Sequence, residues 1–324
     1  MEDSSKLPVI RVLITGVAGN IGSSFAQKLI DVGCYRVVGV DNLITGSRSK
    51  LPRSTSEKFE FIEADVNNFE SLKNVFHNEK FDYVFHFAAL VGVKRTIDNP
   101  LMVLNDINGI RNILALSVEN KIKRFFYSSS SEVYGEPVEI PQIEETTPLN
   151  ARLPYSVVKN IGEVFVRTFR KEFGLNYTIF RFFNTYGPNQ SEDFVISKFI
   201  KFALQGENIP IYGDGTQTRT FCYIDDNVDT MYGCMKSDLF VDGTLNIGSD
   251  IEIRIGDVAA LIIRLTNSNS KVRYMPKLPE GDMTRRKPSI EKMKLVLKRP
   301  TLSLEEGILK VIKKRKLNIK HNQY

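Results

Sequence analysis

Val9-Ile-Arg-Val-Leu-Ile14 runs without a break into Thr15-Gly16-Val-Ala-Gly19-Asn20-Ile21-Gly22, and then into an amphipathic stretch through Ile30. An apolar run, spaced glycines and a helical period predict strand, tight turn and helix in that order. The glycines serve different ends: one permits the turn, one lets backbone N–H groups approach a pyrophosphate, and one lets the helix pack closely on the strand. A second strand, Arg36-Val-Val-Gly-Val40, ends in Asp41-Asn42, about 20 residues past the last glycine. An acid there accepts hydrogen bonds from an adenosine ribose and repels a 2′-phosphate, which favours NAD over NADP.

Strand-like and helix-like patterns alternate outward from that turn. Phe59–Ile62, Tyr83–His86, Arg124–Tyr127 and Tyr177–Phe180 read as strands, with helical segments near 69–78, 99–119 and 155–173. This rhythm predicts an α/β fold, a doubly wound parallel sheet with helices on both faces. Ligands in such sheets bind beyond the carboxyl ends of the strands. Gly16 to Gly22, Asp41, Asp65-Val66, Phe87-Ala88-Ala89, Ser129 to Glu132 and Asn184 all fall there.

From Pro188 the elements shorten and are broken by Gly and Pro, as in Ile209–Thr216 and Met275–Gly281. Helical patterns at 193–205, 226–236, 256–266 and 303–316 make this part mixed α/β. We therefore expect a dinucleotide-binding domain over 1–187 that carries the catalytic residues, and a smaller substrate lobe over 188–324.

One segment has the makings of a proton-handling site. Ser129-Ser130-Ser131-Glu132-Val-Tyr-Gly135 is followed by Tyr155-Ser-Val-Val-Lys159. Residues four apart on a helix share a face, so the Lys159 ammonium is expected to lower the Tyr155 phenol's pKa and to hold a cofactor hydroxyl beside it. A tyrosine so placed exchanges a proton with a sugar hydroxyl or a ketone at neutral pH.

Bulk properties narrow the class. At 324 residues the chain can bury a large core. The formal charge of +6 suits an anionic small molecule, and the basic run Lys313-Lys-Arg-Lys316 reads as a solvated helix end, so no nucleic-acid partner is expected. No apolar run approaches the roughly 20 residues of a membrane span, and the polar start MEDSSKLP has no apolar h-region. Cys34, Cys222 and Cys234 lack ligand spacing, and His77, His86 and His321 do not cluster. Reduced thiols in a cytoplasmic protein without a metal centre are expected.

These motifs together resemble the extended short-chain dehydrogenase/reductases of the NAD-dependent epimerase/dehydratase family, which act on nucleotide sugars. The resemblance rests on Thr15-Gly-x-x-Gly-x-x-Gly22, Asp65-Val66, His86-Phe-Ala-Ala89, Ser130, Tyr155-x-x-x-Lys159, Arg181-Phe-Phe-Asn184-Thr-Tyr-Gly-Pro188 and Gln217-Thr-Arg219-Thr-Phe-x-Tyr223. It implies a Rossmann-type sheet and a first step in which Tyr155 deprotonates the sugar's 4-hydroxyl while hydride passes to NAD. Ser130 would bond that oxygen, and Lys159 would hold the nicotinamide ribose. Asp106 departs from the pattern, because relatives often carry Asn three residues before the Gly.

Three outcomes can follow oxidation: re-reduction on the other face (4-epimerase), loss of water across carbons 5 and 6 (4,6-dehydratase), or loss of carbon dioxide from a uronic acid (decarboxylase). Ser-Glu132-Val-Tyr-Gly resembles dehydratases, where the Glu takes the carbon-5 proton and Ser131 or Glu132 would protonate the departing hydroxyl. Decarboxylases carry the same motif, and Arg286-Lys-Pro resembles theirs, the arginine working on the sugar's carboxylate side. The loop Ala88–Ile97, with Lys94, is closer to dehydratases and epimerases. On balance the resemblance places a 4,6-dehydratase acting on a UDP-N-acetylhexosamine first, with UDP-glucuronate decarboxylase second, then 4-epimerase and a catalytically silent regulator. It also assigns substrate binding to Lys94, Asn184, Lys198, Arg219 and Arg286, and implies a homodimer built through helices that include the one bearing Tyr155.

Overall fold

The computed structural model describes residues 9–276 and 285–321. In chain order the elements are β1 (Ile10–Thr15), α1 (Asn20–Val32), β2 (Tyr35–Asp41), β3 (Phe59–Glu63), α2 (Phe69–Asn78), β4 (Tyr83–His86), α3 (Val93–Asp98), α4 (Pro100–Glu119), β5 (Arg124–Ser130), α5 (Pro154–Phe173) and β6 (Tyr177–Phe182). There follow β7 (Thr185–Tyr186), α6 (Val195–Gln205), β8 (Ile209–Tyr212), β9 (Thr218–Thr220), β10 (Cys222–Tyr223), α7 (Ile224–Lys236), β11 (Gly243–Ile247), β12 (Glu252–Arg254), α8 (Ile255–Thr266), β13 (Val272–Met275), α9 (Glu291–Leu297) and α10 (Leu304–His321). Of the Gly/Pro-rich stretch Met275–Gly281, residues 277–281 lie outside the described residues.

Seven strands form one parallel sheet in the order β11-β6-β5-β4-β1-β2-β3. Strand side chains alternate between faces, and the two cores follow that alternation. Val12, Ile14, Phe85, Phe126 and Phe180 pack on the side of α1 and α6. Leu13, Val84, Phe125, Tyr127 and Ile179 pack on the side of α2, α4 and α5. Apolar residues on both faces explain why these strands read as continuous hydrophobic runs. The chain winds from β1 outward to β3 and then crosses to β4 on the other side of β1. That reversal opens a crevice at the carboxyl ends of β1 and β4.

The later part of the chain returns to this sheet. Leu245 and Ile247 are fully buried, and β11 adds beside β6 in parallel register, Ile247 opposite Phe182. The pairs β7–β10, β8–β13 and β9–β12 form smaller two-stranded sheets.

One buried network ties these elements together near the crevice. Arg181 of β6 donates from Nε to Glu163 Oε1 at 2.8 Å and from Nη2 to Oε2 at 2.7 Å, with side-chain exposures of 2 % and 0 %. Ser129 of β5 donates to the same carboxylate at 2.6 Å. Arg181 also donates to the Tyr134 hydroxyl, which in turn donates to Asn246 on β11, each at 2.8 Å. These bonds offset the cost of burying Arg181, and Glu163 stays below the usual carboxylate range because that guanidinium outweighs its burial. Removing one partner strands a buried charge. Arg181→Met is expected to cost about 3–5 kcal/mol in denaturant unfolding, and adding Glu163→Leu to recover part of it.

Candidate active site

A cavity of about 450 Å³ follows the carboxyl edge of the sheet from the glycine turn to Arg286. Its first wall is the turn after β1. Gly16 has φ +72°, and a Cβ there would stand 2.6 Å from Ala88 N. A Cβ on Gly22 would stand 2.3 Å from Gly16 O, so backbone occupies the space any side chain would need. Gly19 caps α1 without a side-chain hydrogen bond, which leaves the first-turn N–H groups of Asn20, Ile21 and Gly22 facing a prospective anion.

Asp41 is 8 % exposed, and its orientation is fixed by the Ala18 N–H at 2.9 Å and the Leu43 N–H at 2.8 Å. Asn42 and Asp65 close short turns by accepting from Ile44 N–H and Asn67 N–H. Val66, Phe87, Ala88 and Ala89 complete the lining on this side. The Thr15 hydroxyl pairs with His86 Nδ1 at 2.8 Å and accepts from Ala88 N–H at 3.3 Å, which holds the turn after β4. A side-chain-free turn, a helix N-terminus and an oriented carboxylate about 20 residues beyond it suit a dinucleotide with a free 2′-hydroxyl.

The second wall carries the reactive groups. Lys159 is 3 % exposed, and its Nζ donates to Ser128 O at 2.7 Å and lies 5.8 Å from the Tyr155 ring centroid. The expected depression of the Tyr155 pKa by Lys159 is absent. Burial raises the phenol most, the Glu132 charge raises it further, and a Ser130 hydrogen bond and the Arg286 charge pull the other way. Lys159 itself is pushed down to about 8 by burial. The Ser130 hydroxyl also accepts from Glu132 N–H at 3.2 Å, and Ser131 is buried in the same wall.

Arg286 reaches Glu132 across the end of the cavity, Nη1 to Oε1 at 3.6 Å, with side-chain exposures of 11 % and 20 %. Its Nε is buried without a hydrogen-bond partner among the described residues. Arg285 and Lys287 turn away and pair with Glu252. Asn184, at φ +37°, lines the cavity and donates to Thr220 O at 2.9 Å. Arg219 donates to Thr218 O and Lys198 stacks over Tyr212, and neither lines the cavity. The side chain of Lys94 lies outside the described residues.

Glu163 was missed by the motif reading. It sits four residues beyond Lys159 and so extends the face shared by Tyr155 and Lys159.

A family model described as the NAD dependent epimerase/dehydratase family matches residues 12–248. A UDP-N-acetyl-alpha-D-glucosaminuronate decarboxylase of Bacillus cytotoxicus is 35 % identical over 318 residues, 93 % of this chain and 96 % of that one. A UDP-glucose 4-epimerase of Thermotoga maritima, solved with UDP-glucose, superposes with a TM-score of 0.89 at 31 % identity, over 96 % of this chain and 100 % of that one. A dTDP-glucose 4,6-dehydratase of Streptomyces venezuelae, solved with NAD, gives 0.88 at 25 % identity, over 96 % and 98 %.

By calorimetric titration, Gly22→Ala is expected to weaken NAD binding by about 100-fold or more, since the helix start must shift. Asp41→Ser should narrow the preference for NAD over NADP by about tenfold. The glycine turn, the cavity it opens and these relatives agree: the chain belongs to the NAD-dependent epimerase/dehydratase family, whose members convert nucleotide sugars.

Proposed function

We propose that this chain is a UDP-hexuronate decarboxylase, which oxidises carbon 4 of the sugar and releases its carbon-6 carboxylate as carbon dioxide. The observation that carries this reading is Arg286 at the end of the cavity, facing Glu132 and holding a buried Nε–H with no acceptor among the described residues. A neutral sugar gives such a group little to bind. A uronate gives it a planar anion matched to the guanidinium fork. The Bacillus cytotoxicus decarboxylase at 35 % identity lends further support.

Tyr155 takes the proton of the 4-hydroxyl, with Ser130 bonded to the same oxygen. Bound NAD supplies the hydride acceptor and a positive charge beside the tyrosine. The new ketone lies β to the carboxylate, so the electrons of the breaking carbon–carbon bond delocalise onto the carbon-4 oxygen as carbon dioxide leaves. Tyr155, now protonated, donates to that oxygen. Arg286 aligns the carboxylate and Glu132 passes a proton from water to carbon 5; with the hydride returned to carbon 4 and the Tyr155 proton delivered to its oxygen, the product would be a UDP-pentose. Asn184 is the cavity-lining candidate for the diphosphate.

The 4,6-dehydratase, which the sequence resemblance places first, becomes the second reading. The buried hydroxyl of Ser131, adjoining Glu132 in the cavity wall, favours it as a proton donor to a departing hydroxyl. Re-reduction without either elimination gives a 4-epimerase. A silent regulator would not need the buried Tyr155, Lys159 and Ser130 group.

The UDP base follows the names of the relatives. Leu101 and Leu104 on α4 and Val164 and Phe173 on α5 are exposed, which supports pairing of these helices in a homodimer. Three free cysteines fit the cytoplasm, and among the described residues no helix is long and apolar enough to cross a membrane.

With UDP-glucuronate, the wild-type chain is expected to yield a UDP-pentose by mass spectrometry. Arg286→Ala should lower kcat/KM for the uronate by about 100-fold or more. Glu132→Gln should still reduce NAD, whereas Tyr155→Phe should not. Loss of water from UDP-glucose or UDP-N-acetylglucosamine, with UDP-glucuronate left intact, would overturn the proposal in favour of the dehydratase.

A further inference from the structure

Asp106 on α4 lines the same cavity, and the chemistry outlined above makes no use of it. Its Oδ2 accepts a 2.7 Å hydrogen bond from Leu90 N–H, in the turn after β4. Lys159, on the cavity's other wall, is almost sealed from water and donates to a neutral carbonyl, that of Ser128. An ammonium so placed tends to lose its proton unless a counter-charge faces it.

The groups around Lys159 come from four elements. Asp106 belongs to α4, His86 ends β4, the Tyr127 ring of β5 lies 5.4 Å from Nζ, and Tyr155 belongs to the lysine's own helix. His86 is held neutral by burial, its pKa pushed down to about 3. Burial raises the phenols of Tyr127 and Tyr155, so without the cofactor's charge both favour the neutral form. Among these four, Asp106 alone supplies a negative charge. Burial raises the Asp106 carboxyl, and the Leu90 N–H and the Lys159 charge oppose that rise, while Asp65, after β3, adds to it.

We propose that Asp106 is a positioning residue for the oxidation step: its carboxylate keeps the buried Lys159 side chain an ammonium while its bond to Leu90 fixes the turn after β4. The assignment rests on Lys159 holding the cofactor ribose. It is independent of which reaction follows oxidation, so failure of the decarboxylase reading leaves it standing.

Asp106→Asn tests it, because the amide oxygen can still accept from Leu90 N–H and only the charge is lost. In the cofactor-free chain burial pushes Lys159 down to about 8, against 10.5 for an ordinary lysine. The unfolded chain therefore binds the extra proton between those values, and stability rises with pH across that window. In Asp106→Asn the rise should begin at least about one pH unit lower, and the alkaline loss of NAD affinity should move down with it. Asp106→Glu should restore both curves towards wild type. Lys159→Met should remove the alkaline rise in stability, which checks the lysine without touching Asp106. The proposal is overturned if Asp106→Asn leaves both curves on those of wild type, or if the rise persists in Lys159→Met.

Discussion

The Arg181 guanidinium and the Glu163 carboxylate bind each other through two hydrogen bonds in a space almost closed to water. Such a pair has a large desolvation cost, which is offset only when geometry is good and the remaining donors are satisfied. Here they are satisfied by the groups that must be aligned. Ser129, next to Ser130, donates to Glu163, and Tyr134, two residues past Glu132, accepts from Arg181. The helix carrying Tyr155 and Lys159 is thereby tied to the strand end carrying Ser130 and Glu132. Asn246 extends the tie to β11, the strand by which the late chain rejoins the main sheet. Proton transfer needs heavy atoms within hydrogen-bond reach, and this network supplies that alignment from outside the cavity.

The oxidation half of the site could be read in the sequence because its signals are local. Glycine spacing encodes a turn whose backbone leaves no room for side chains, and a four-residue interval encodes one helix face. The strands were legible for the same reason, since burial on both sheet faces produces the apolar runs Val12–Ile14, Val37–Val40 and Phe125–Tyr127. Asp41 could be placed because the end of the second strand lies beside the glycine turn, where Ala18 N–H binds its carboxylate.

The rest depended on long-range contact. Arg286 lies far along the chain from Glu132, and no spacing rule links them. Resemblance assigns the arginine to substrate binding, and its position beside Glu132 supports the carboxylate side of the sugar. Arg219 belongs to a motif and Lys198 to none; Arg219 donates to Thr218 O and Lys198 lies over the Tyr212 ring, contacts that no local spacing encodes. The direction of the Tyr155 shift was misjudged for a related reason. Helical spacing gives the proximity of Lys159 but not the burial and the Glu132 charge that outweigh it. Even Glu163, visible as the next step on the helix face, gains meaning only when Arg181 meets it across the sheet.

A division of labour follows. Under the proposed reading, Tyr155, Lys159 and Ser130 would serve the oxidation, while Glu132 and Arg286 would govern what becomes of the ketone. The most direct test of that second half uses UDP-glucuronate labelled with carbon-13 at the carboxyl carbon, with labelled carbon dioxide measured against nucleotide sugar consumed. The account predicts one labelled carbon dioxide for each sugar converted. Sugar converted with all the label retained on the nucleotide would contradict it.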